Sequence, residues 1–287
     1  MLPGEMLDQF DEQGYVIVRN VIDKKVLNAV RRDLNWLVNM FAGQLLEDGV
    51  IQDPCLDEPF ERRLLKMYAP CLDRAPSSFR AELHLPGLYP LFFHPAVLDL
   101  AEAMLGPEVR LYPNYTARLK LPKHDASLVL WHQDAGYTDH GSSPTSKRGP
   151  GGLTPADLRM VNVWSPLVPV CRANGCMQFI PGTHKLGVVD HVQRKYYLEI
   201  VENQITSRLD QAVDVQCDPG DVVLFSNMLF HRGHPNVTDI VRWSLDWRYQ
   251  DARQPTLRPQ RGHLARSRVH PERVVRDAEQ WTYLMFS

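Results

Sequence analysis

Two histidines and one aspartate in this sequence have the residue types and the spacing of a metal site. His132 and Asp134 form an H-x-D pair, and on a strand residues i and i+2 point to the same face, so both side chains can reach one ion. His231 follows the apolar run at residues 222–225 and can supply a third ligand. Two imidazoles and one carboxylate form the facial triad that favours non-haem iron(II) and leaves positions open for a chelating co-substrate and dioxygen.

An H-x-D pair alone is weak evidence, because 11 histidines and 34 acidic residues produce such pairs by chance. Arg242 strengthens it, since this arginine lies eleven residues after His231 on the next predicted strand, where a hairpin would return it to the metal. A planar guanidinium donates two parallel hydrogen bonds and suits a dicarboxylate. The alternative for Arg242 is a surface ion pair. However, the apolar residues beside it predict a central strand, where a buried arginine needs an anionic partner.

The composition is that of an ordinary globular chain. Its 287 residues are 44% hydrophobic and 23% charged, with a net charge of −2, so one large domain or two small ones can form. There is no basic field for nucleic acid or anionic membrane, no apolar run near the ~20 residues of a membrane span, and no secretion signal. The 5 cysteines lack a C-x-x-C pair, which predicts reduced thiols. We expect a cytoplasmic monomer or homodimer without nucleic-acid or membrane partners.

The helical signals lie in the first part of the chain. Residues 5–10 predict a short helix and residues 14–19 a strand. Asp23 is a predicted N-cap of an amphipathic helix that ends near Phe41, and residues 42–80 are predicted as mixed helix and loop. A further helix has Pro95 in its first turn and ends at Gly106.

Short strand-like segments separated by turn residues follow from about residue 108. They predict an antiparallel sandwich or barrel, with the early helices packed outside one sheet. No linker divides the chain, so we expect one domain over residues 1–287, with helices in about 1–107, a β core in about 108–250 and a C-terminal strap at 251–287. The predicted strands are residues 109–112, 115–121, 127–132, 160–167, 177–180, 212–216, 222–226 and 241–249.

The motifs together resemble those of the phytanoyl-CoA dioxygenase family. The H-x-D pair, the distal histidine and the arginine eleven positions later are one part of the likeness. Residues 174–185, NGCMQFIPGTHK, resemble the family's NG-x-x-x-x-IPG-S/T-H segment, and residues 219–225, PGDVVLF, resemble the stretch before its distal histidine. Residues 10–16, FDEQGYV, resemble its usual start. The likeness runs in order from about residue 8 to residue 250.

This resemblance implies a mainly β fold with flanking helices around a double-stranded β-helix, the jelly-roll or cupin-like core of 2-oxoglutarate oxygenases. The H-x-D pair and His231 would bind iron(II), and Arg242 would pair with the distal carboxylate of 2-oxoglutarate. Ser244, on the same strand face as Arg242, would add a hydrogen bond. Lys120 stands where family members carry a polar residue near the co-substrate, and its alternative role is an exposed charge at a strand end.

The implied reaction is dioxygen-dependent oxidation of an unactivated C–H bond in a small molecule, with release of succinate and carbon dioxide. Hydroxylation, desaturation, epoxidation and ring closure are all compatible with the motifs. Related halogenases replace the acidic ligand with a small residue, so Asp134 favours oxygenation. A specialised metabolite from biosynthesis is the expected substrate, by analogy at the level of the fold. The alternatives are an acyl-CoA 2-hydroxylase, a cupin-type enzyme that needs no oxo acid, and a non-catalytic metal-binding jelly-roll protein.

Four further side chains are candidates for substrate contact. Tyr137 and Asp139 follow the H-x-D pair at the start of a loop at residues 135–159, whose glycines and prolines are typical of a lid or binding loop. Trp164 and Trp247 lie on predicted strands near the metal motifs, although the commoner role of tryptophan is core packing. Residues 248–279 carry eight arginines and four acidic residues. These would contact an anionic substrate or a partner, or lie exposed, and we favour exposure.

Overall fold

The computed structural model of the chain describes residues 3–124, 127–138 and 152–284. In these ranges it contains six α-helices and thirteen β-strands, and the strands pair in antiparallel sheets. The helices are α1 (Pro3–Gln13), α2 (Lys24–Glu47), α3 (Phe60–Met67), α4 (Tyr89–Phe92), α5 (Pro95–Leu105) and α6 (Ala278–Tyr283). The strands are β1 (Tyr15–Val18), β2 (Ser78–Phe79), β3 (Val109–Leu111), β4 (Thr116–Lys120), β5 (Met160–Pro166), β6 (Met177–Phe179), β7 (His191–Gln193), β8 (Leu198–Ile200), β9 (Val213–Val215), β10 (Val222–Phe225), β11 (His231–Gly233), β12 (Arg242–Asp251) and β13 (His263–Arg266).

The helices largely follow the sequence prediction. The Asp23 side chain caps α2 by accepting hydrogen bonds from the backbone N–H groups of Lys25 and Val26, at 2.7 and 3.0 Å. The helix continues beyond the predicted end because Ala42 and Leu45 extend its buried face. None of the helices in the described ranges has both the length and the apolar composition that crossing a membrane requires.

The largest sheet has eight strands and is organised around β12. One edge of β12 pairs with β5, and the other edge pairs first with β4 and then with β3. In this register Arg242 lies opposite Lys120, and Asp246 lies opposite Trp164 on β5. The strands β10 and β1 extend the sheet beyond β5, and a second sheet of three strands has the order β11-β6-β9. The hairpin of β7 and β8 forms a separate pair.

The prediction of a strand over residues 127–132 is wrong, because this segment forms no ladder. His132 makes an isolated bridge with His231, in which each backbone N–H donates to the other residue's carbonyl, at 2.9 and 3.0 Å. Gln133 is nevertheless extended, with φ −113° and ψ 138°, before a 3₁₀ helix begins at Asp134. One extended residue is enough to turn the side chains of His132 and Asp134 to the same side. The short strands β2, β7, β8, β11 and β13 lie outside the predicted segments.

The main hydrophobic core lies between the helices and one face of the eight-stranded sheet, and it includes residues from Met6 to Trp281. Along β12 the apolar side chains alternate with polar ones, and Trp243 and Trp247 are fully buried in this core. The proposed substrate contact of Trp247 is therefore wrong. Its ring packs edge-on against Phe92, with 5.6 Å between the ring centroids. Since neighbouring strand residues point to opposite faces, Trp247 points away from the face that carries Arg242.

We expect Trp247→Ala to lower the free energy of unfolding by about 3–5 kcal/mol, because it leaves a large cavity in a well-packed core. Denaturant unfolding followed by circular dichroism measures the change. The matched control is Trp36→Ala, since Trp36 is 50% exposed on α2, and we expect a change within about 0.5 kcal/mol there. A Trp247→Ala variant as stable as the control would contradict the core assignment.

Candidate active site

The three candidate metal ligands converge at a buried point between the two sheets. Oδ1 of Asp134 lies 3.5 Å from Nε2 of His132 and 3.8 Å from Nε2 of His231. The three ligand atoms all lie within 4.8 Å of one another, and all three residues are buried. The bridge between the two histidines brings their rings to a centroid distance of 4.0 Å. Residues about 100 positions apart in the sequence thus share one small volume.

Backbone carbonyls orient both imidazoles toward this point. Nδ1 of His132 lies 2.8 Å from the carbonyl oxygen of Leu130, and Nδ1 of His231 lies 2.9 Å from that of Leu229. A carbonyl only accepts, so the proton of each neutral ring sits on Nδ1 and the Nε2 lone pair faces the common point. Burial, followed by the neighbouring His132, lowers the pKa of His231 to about 3. The His231 ring is therefore uncharged at neutral pH, and the lone pair of its Nε2 is available to a metal ion.

Asp134 uses its two oxygens for different partners. While Oδ1 faces the histidines, Oδ2 accepts an ion-paired hydrogen bond from Nη2 of Arg248 at 2.8 Å. Arg248 is itself buried and donates from Nη1 to the carbonyl of Asn114 at 3.1 Å. Burial alone would raise the pKa of the Asp134 carboxyl, but Arg248 and the two histidines hold that pKa well below its usual value. The third candidate ligand is thus kept as a carboxylate.

This donor set fits iron(II). Two imidazole nitrogens and one carboxylate oxygen form the arrangement that non-haem iron enzymes use. Ligands on adjacent positions of an ion bound at ~2.1 Å lie roughly 3 Å apart, so the separations of 3.5 and 3.8 Å require only a small inward movement.

A narrow cavity connects these ligands to Arg242, which is also buried. Nη1 of Arg242 donates to the hydroxyl of Ser244 at 2.5 Å and Nη2 donates to the carbonyl of Gly175 at 3.2 Å, while Nε has no partner. Among the described residues no carboxylate forms an ion pair with Arg242. Burial and the charge of Arg118 lower its pKa to about 10. Trp164 lines the same cavity, with the guanidinium carbon 5.6 Å from its ring centre.

Lys120 lies behind Arg242 rather than in its cavity. Its Nζ donates to the carbonyl of Ser127 at 2.9 Å, and the residue lines a separate pocket. A Cβ atom at Gly175, where φ is +87°, would lie 2.5 Å from Lys120 Cε, so only glycine leaves room for this side chain. Burial, followed by the charge of Arg242, lowers the pKa of Lys120 well below its usual value. A direct contact between Lys120 and a co-substrate remains a prediction.

The polar face of β12 carries further site residues that the sequence reasoning missed. After Arg242 and Ser244, the alternation continues with Asp246, which pairs with Arg118 at 2.5 Å, and with Arg248. The signal was present in the sequence, since every second residue from 242 to 248 is polar while the residues between them are apolar. A strict period of two predicts these four side chains on one face.

A second, larger cavity of about 430 Å³ shares His132 and Asp134 with the narrow cavity. Tyr137 lines it, and its hydroxyl accepts a hydrogen bond from the backbone N–H of Leu198 at 2.6 Å. The candidate substrate residue Asp139 lies outside the described residues, so its predicted contact stays a prediction.

The arginines of the C-terminal segment divide into two groups. Arg253 and Arg266 form ion pairs with Asp251 and with Asp99, at 2.6 and 2.7 Å, on the outside of the protein. Arg248 and Arg258 instead line the larger cavity. The first group agrees with the expected exposed position, while contact of Arg248 and Arg258 with an anionic substrate remains a prediction.

Comparisons with known proteins point to one family. A statistical model of the family described as phytanoyl-CoA dioxygenase matches residues 10–244. The chain is 26% identical over 263 residues to a protein named 1-deoxypentalenic acid 11-beta-hydroxylase from Streptomyces arenae, covering 86% of this chain and 81% of that one.

Solved structures agree with this at the level of the fold. The apo structure of ThoJ, described as a non-heme monooxygenase, superposes with a TM-score of 0.62 at 21% identity and covers 91% of this chain and 84% of that one. EctD from S. alaskensis, solved with 2-oxoglutarate and 5-hydroxyectoine, superposes with a TM-score of 0.59 at 16% identity, covering 96% and 85%.

We expect Arg248→Met to weaken metal binding by about 10–100-fold, the usual effect of removing a group that supports a metal ligand. Loss of the guanidinium raises the pKa of the Asp134 carboxyl, and protons compete with metal for this oxygen. As the pH falls, the variant should therefore lose metal at a higher pH than the wild type. Anaerobic titration with iron(II), or with manganese(II), across a pH series measures both effects.

Arg159→Met is the control, because Arg159 is half exposed and pairs with Asp251 away from the site. Equal metal affinity and an equal pH profile in both variants would show that Arg248 does not support Asp134.

Proposed function

The chain belongs to the phytanoyl-CoA dioxygenase family of iron(II)- and 2-oxoglutarate-dependent oxygenases, and we propose that it hydroxylates an unactivated C–H bond of a small specialised metabolite. His132, Asp134 and His231 would hold iron(II). Arg242, with Ser244, would hold the distal carboxylate of 2-oxoglutarate. When bound, iron(II) and 2-oxoglutarate activate dioxygen, release succinate and carbon dioxide, and supply the oxidant for the C–H bond.

One observation carries this proposal: a buried arginine that forms no ion pair with any described carboxylate shares a cavity with a complete facial triad. The buried Arg63 also has only neutral partners among the described residues, but its Nε, Nη1 and Nη2 all donate hydrogen bonds, to the carbonyl of Pro54 and to the side chain of Asn35. The Arg242 guanidinium has an unpartnered Nε and lines the cavity that also contains the candidate metal ligands. A buried cation in this state requires an anionic ligand, and the co-substrate has a carboxylate at each end.

The surrounding residues determine how that ligand would be held. Ser244 fixes one edge of the Arg242 fork, so the guanidinium is oriented before the ligand arrives. Trp164 and Phe225 line the cavity and keep bulk water from the pair, which strengthens its electrostatic attraction. On the other side, Arg248 holds Asp134 so that one oxygen remains directed at the metal position.

We further propose that the two sheets form a double-stranded β-helix within a single oxygenase domain over residues 1–287. In support of this, His231 and Arg242 come from different sheets and line one cavity: His231 begins β11 of the three-stranded sheet, and Arg242 begins β12 of the eight-stranded sheet. The protein would act in the cytoplasm as a monomer or homodimer.

Hydroxylation of a specialised metabolite is favoured over the alternatives by one relative in particular. A protein that is named as a hydroxylase of 1-deoxypentalenic acid shares 26% identity over most of both chains. Asp134 and Arg242 line one cavity, where the arginine can bind an anion beside the metal. This arrangement argues against a metal-binding protein without activity.

The direct test is succinate release that requires both iron(II) and 2-oxoglutarate, followed by a succinate-coupled screen of metabolites and mass spectrometry of the product. We expect Asp134→Ala to abolish succinate release, because the metal loses its anionic ligand. A product that has gained one oxygen atom supports hydroxylation. Full turnover by Asp134→Ala would remove this residue from the ligand set.

Arg242→Gln should weaken 2-oxoglutarate binding by about 30-fold or more, since breaking a buried charged pair costs at least ~2 kcal/mol. Calorimetry on anaerobic, iron(II)-loaded protein measures the dissociation constant, and the Michaelis constant for 2-oxoglutarate should rise in parallel. The control is Arg63→Gln, which replaces an equally buried arginine outside the site. Unchanged 2-oxoglutarate affinity in Arg242→Gln would refute the assignment of Arg242.

A further inference from the structure

The larger cavity next to the metal site has a volume of about 430 Å³, which is in the range of pockets that bind small organic molecules. It shares His132, Asp134 and Arg118 with the narrow cavity that contains Arg242. The two cavities thus meet at the candidate metal ligands. A molecule in the larger cavity would lie beside the metal without occupying the position proposed for 2-oxoglutarate.

The charges around the larger cavity are unbalanced. Its described lining contains one carboxylate, that of Asp134, and a second carboxylate, that of Asp246 in the narrow cavity, pairs with Arg118. The arginines of the lining are four, Arg80, Arg118, Arg248 and Arg258. Iron(II), Asp134, 2-oxoglutarate and Arg242 together carry no net formal charge. The loaded metal centre therefore does not neutralise this positive excess.

Arg80 is held by a neutral side chain. It follows β2 and donates from Nη1 to the side-chain oxygen of Asn114 at 3.2 Å. Within residues 3–124, 127–138 and 152–284, no carboxylate forms an ion pair with it. Arg80 is exposed to water in the cavity, yet the protein atoms around it and then the charge of Arg118 lower its pKa. Like charges that are held together against their repulsion are typical of a site built for an anion.

The remaining arginines are fixed by their own contacts. Arg118 pairs with Asp246 and Arg248 pairs with Asp134, so both are rigid walls of the cavity. The Arg258 guanidinium donates to the carbonyl of Tyr137 at 2.8 Å and closes the end near the 3₁₀ helix. Arg80 lines the cavity, and none of the described carboxylates pairs with it.

Aromatic side chains form another part of the cavity wall. Tyr196 and Tyr197 come from the turn between β7 and β8, and Tyr137 comes from the 3₁₀ helix after Asp134. The hydrogen bond from Leu198 to the Tyr137 hydroxyl ties this hairpin to the metal-binding segment. Rings of this kind pack against an apolar or aromatic molecular body.

We propose that the substrate is an organic anion, a carboxylate or a phosphate ester, whose acidic group binds Arg80 and whose apolar body packs against the tyrosines. This inference rests on the proposed function and specifies the substrate class for the same site. The contact of the acidic group with Arg80 and the metal at His132 and Asp134 would hold the substrate at two points. The arrangement selects which C–H bond faces His132 and Asp134, because anchoring one end fixes the distance to the reacting carbon.

The test uses three probes with the same body: 4-phenylbutyrate, 4-phenylbutyl phosphate and the neutral 4-phenylbutanamide. Each is titrated calorimetrically into anaerobic protein loaded with iron(II) and saturating 2-oxoglutarate, so that Arg242 is occupied. We expect at least one of the anions to bind about tenfold or more tightly than the amide. Paramagnetic broadening of the probe's proton signals by iron(II), absent with zinc(II), should place it beside the metal.

Arg80→Gln keeps a hydrogen-bonding group near Asn114 but removes the charge. It should weaken binding of the preferred anion by about tenfold and leave the affinity for the amide unchanged. The matched control is Arg62→Gln, which removes a half-exposed arginine paired with Asp239 and should change none of the affinities. Tighter binding of the carboxylate indicates a free acid as substrate, and tighter binding of the phosphate indicates a phosphate ester.

Equal affinities for the anions and the amide, including no binding of all three, would overturn the proposal. So would an Arg80→Gln variant that binds the anions as tightly as the wild type. Binding of 2-oxoglutarate to the same iron-loaded wild type separates this result from the proposed function. If 2-oxoglutarate binds and the anion preference is absent, the substrate class alone is wrong. If the anions bind through Arg80 and 2-oxoglutarate does not bind, the oxygenase assignment is wrong.

Discussion

The site depends on one buried carboxylate that is shared between a metal position and a guanidinium. A charged group inside a protein is stable only when partners replace the water that it has lost. For Asp134 those partners are Arg248 at one oxygen and the two imidazoles at the other. Because Arg248 lies on β12, a central strand of the main sheet, the position of the Asp134 carboxylate is coupled to the packing of the β core.

The strand β12 has two functions at once, one for each of its faces. Its apolar residues, including Trp243 and Trp247, bury against the helices and stabilise the fold. Its polar residues supply Arg242 to the co-substrate cavity and Arg248 to the metal ligand. A shift of one residue in its register would exchange these faces, so selection for stability and selection for activity act on the same pairing.

The metal ligands also separate two cavities of different character. On one side a narrow space ends at Arg242, and on the other a wider space has several arginines and tyrosines in its wall. Such a division lets the co-substrate and the substrate approach one metal from different directions. The charge of each space matches an anion, but only the wider one has room and aromatic surface for a larger body.

The sequence by itself determined those features that depend on local order: the Asp23 cap, the alternation of β12, the H-x-D spacing and the arginine eleven residues after His231. These follow from the fixed periods of helices and strands, and from chemistry that needs particular side chains. Only the tertiary structure decided that residues 127–132 form no ladder, and that Arg248 forms an ion pair with Asp134. The partner of a buried charge depends on strand register and on the approach of distant segments, and no local pattern encodes either.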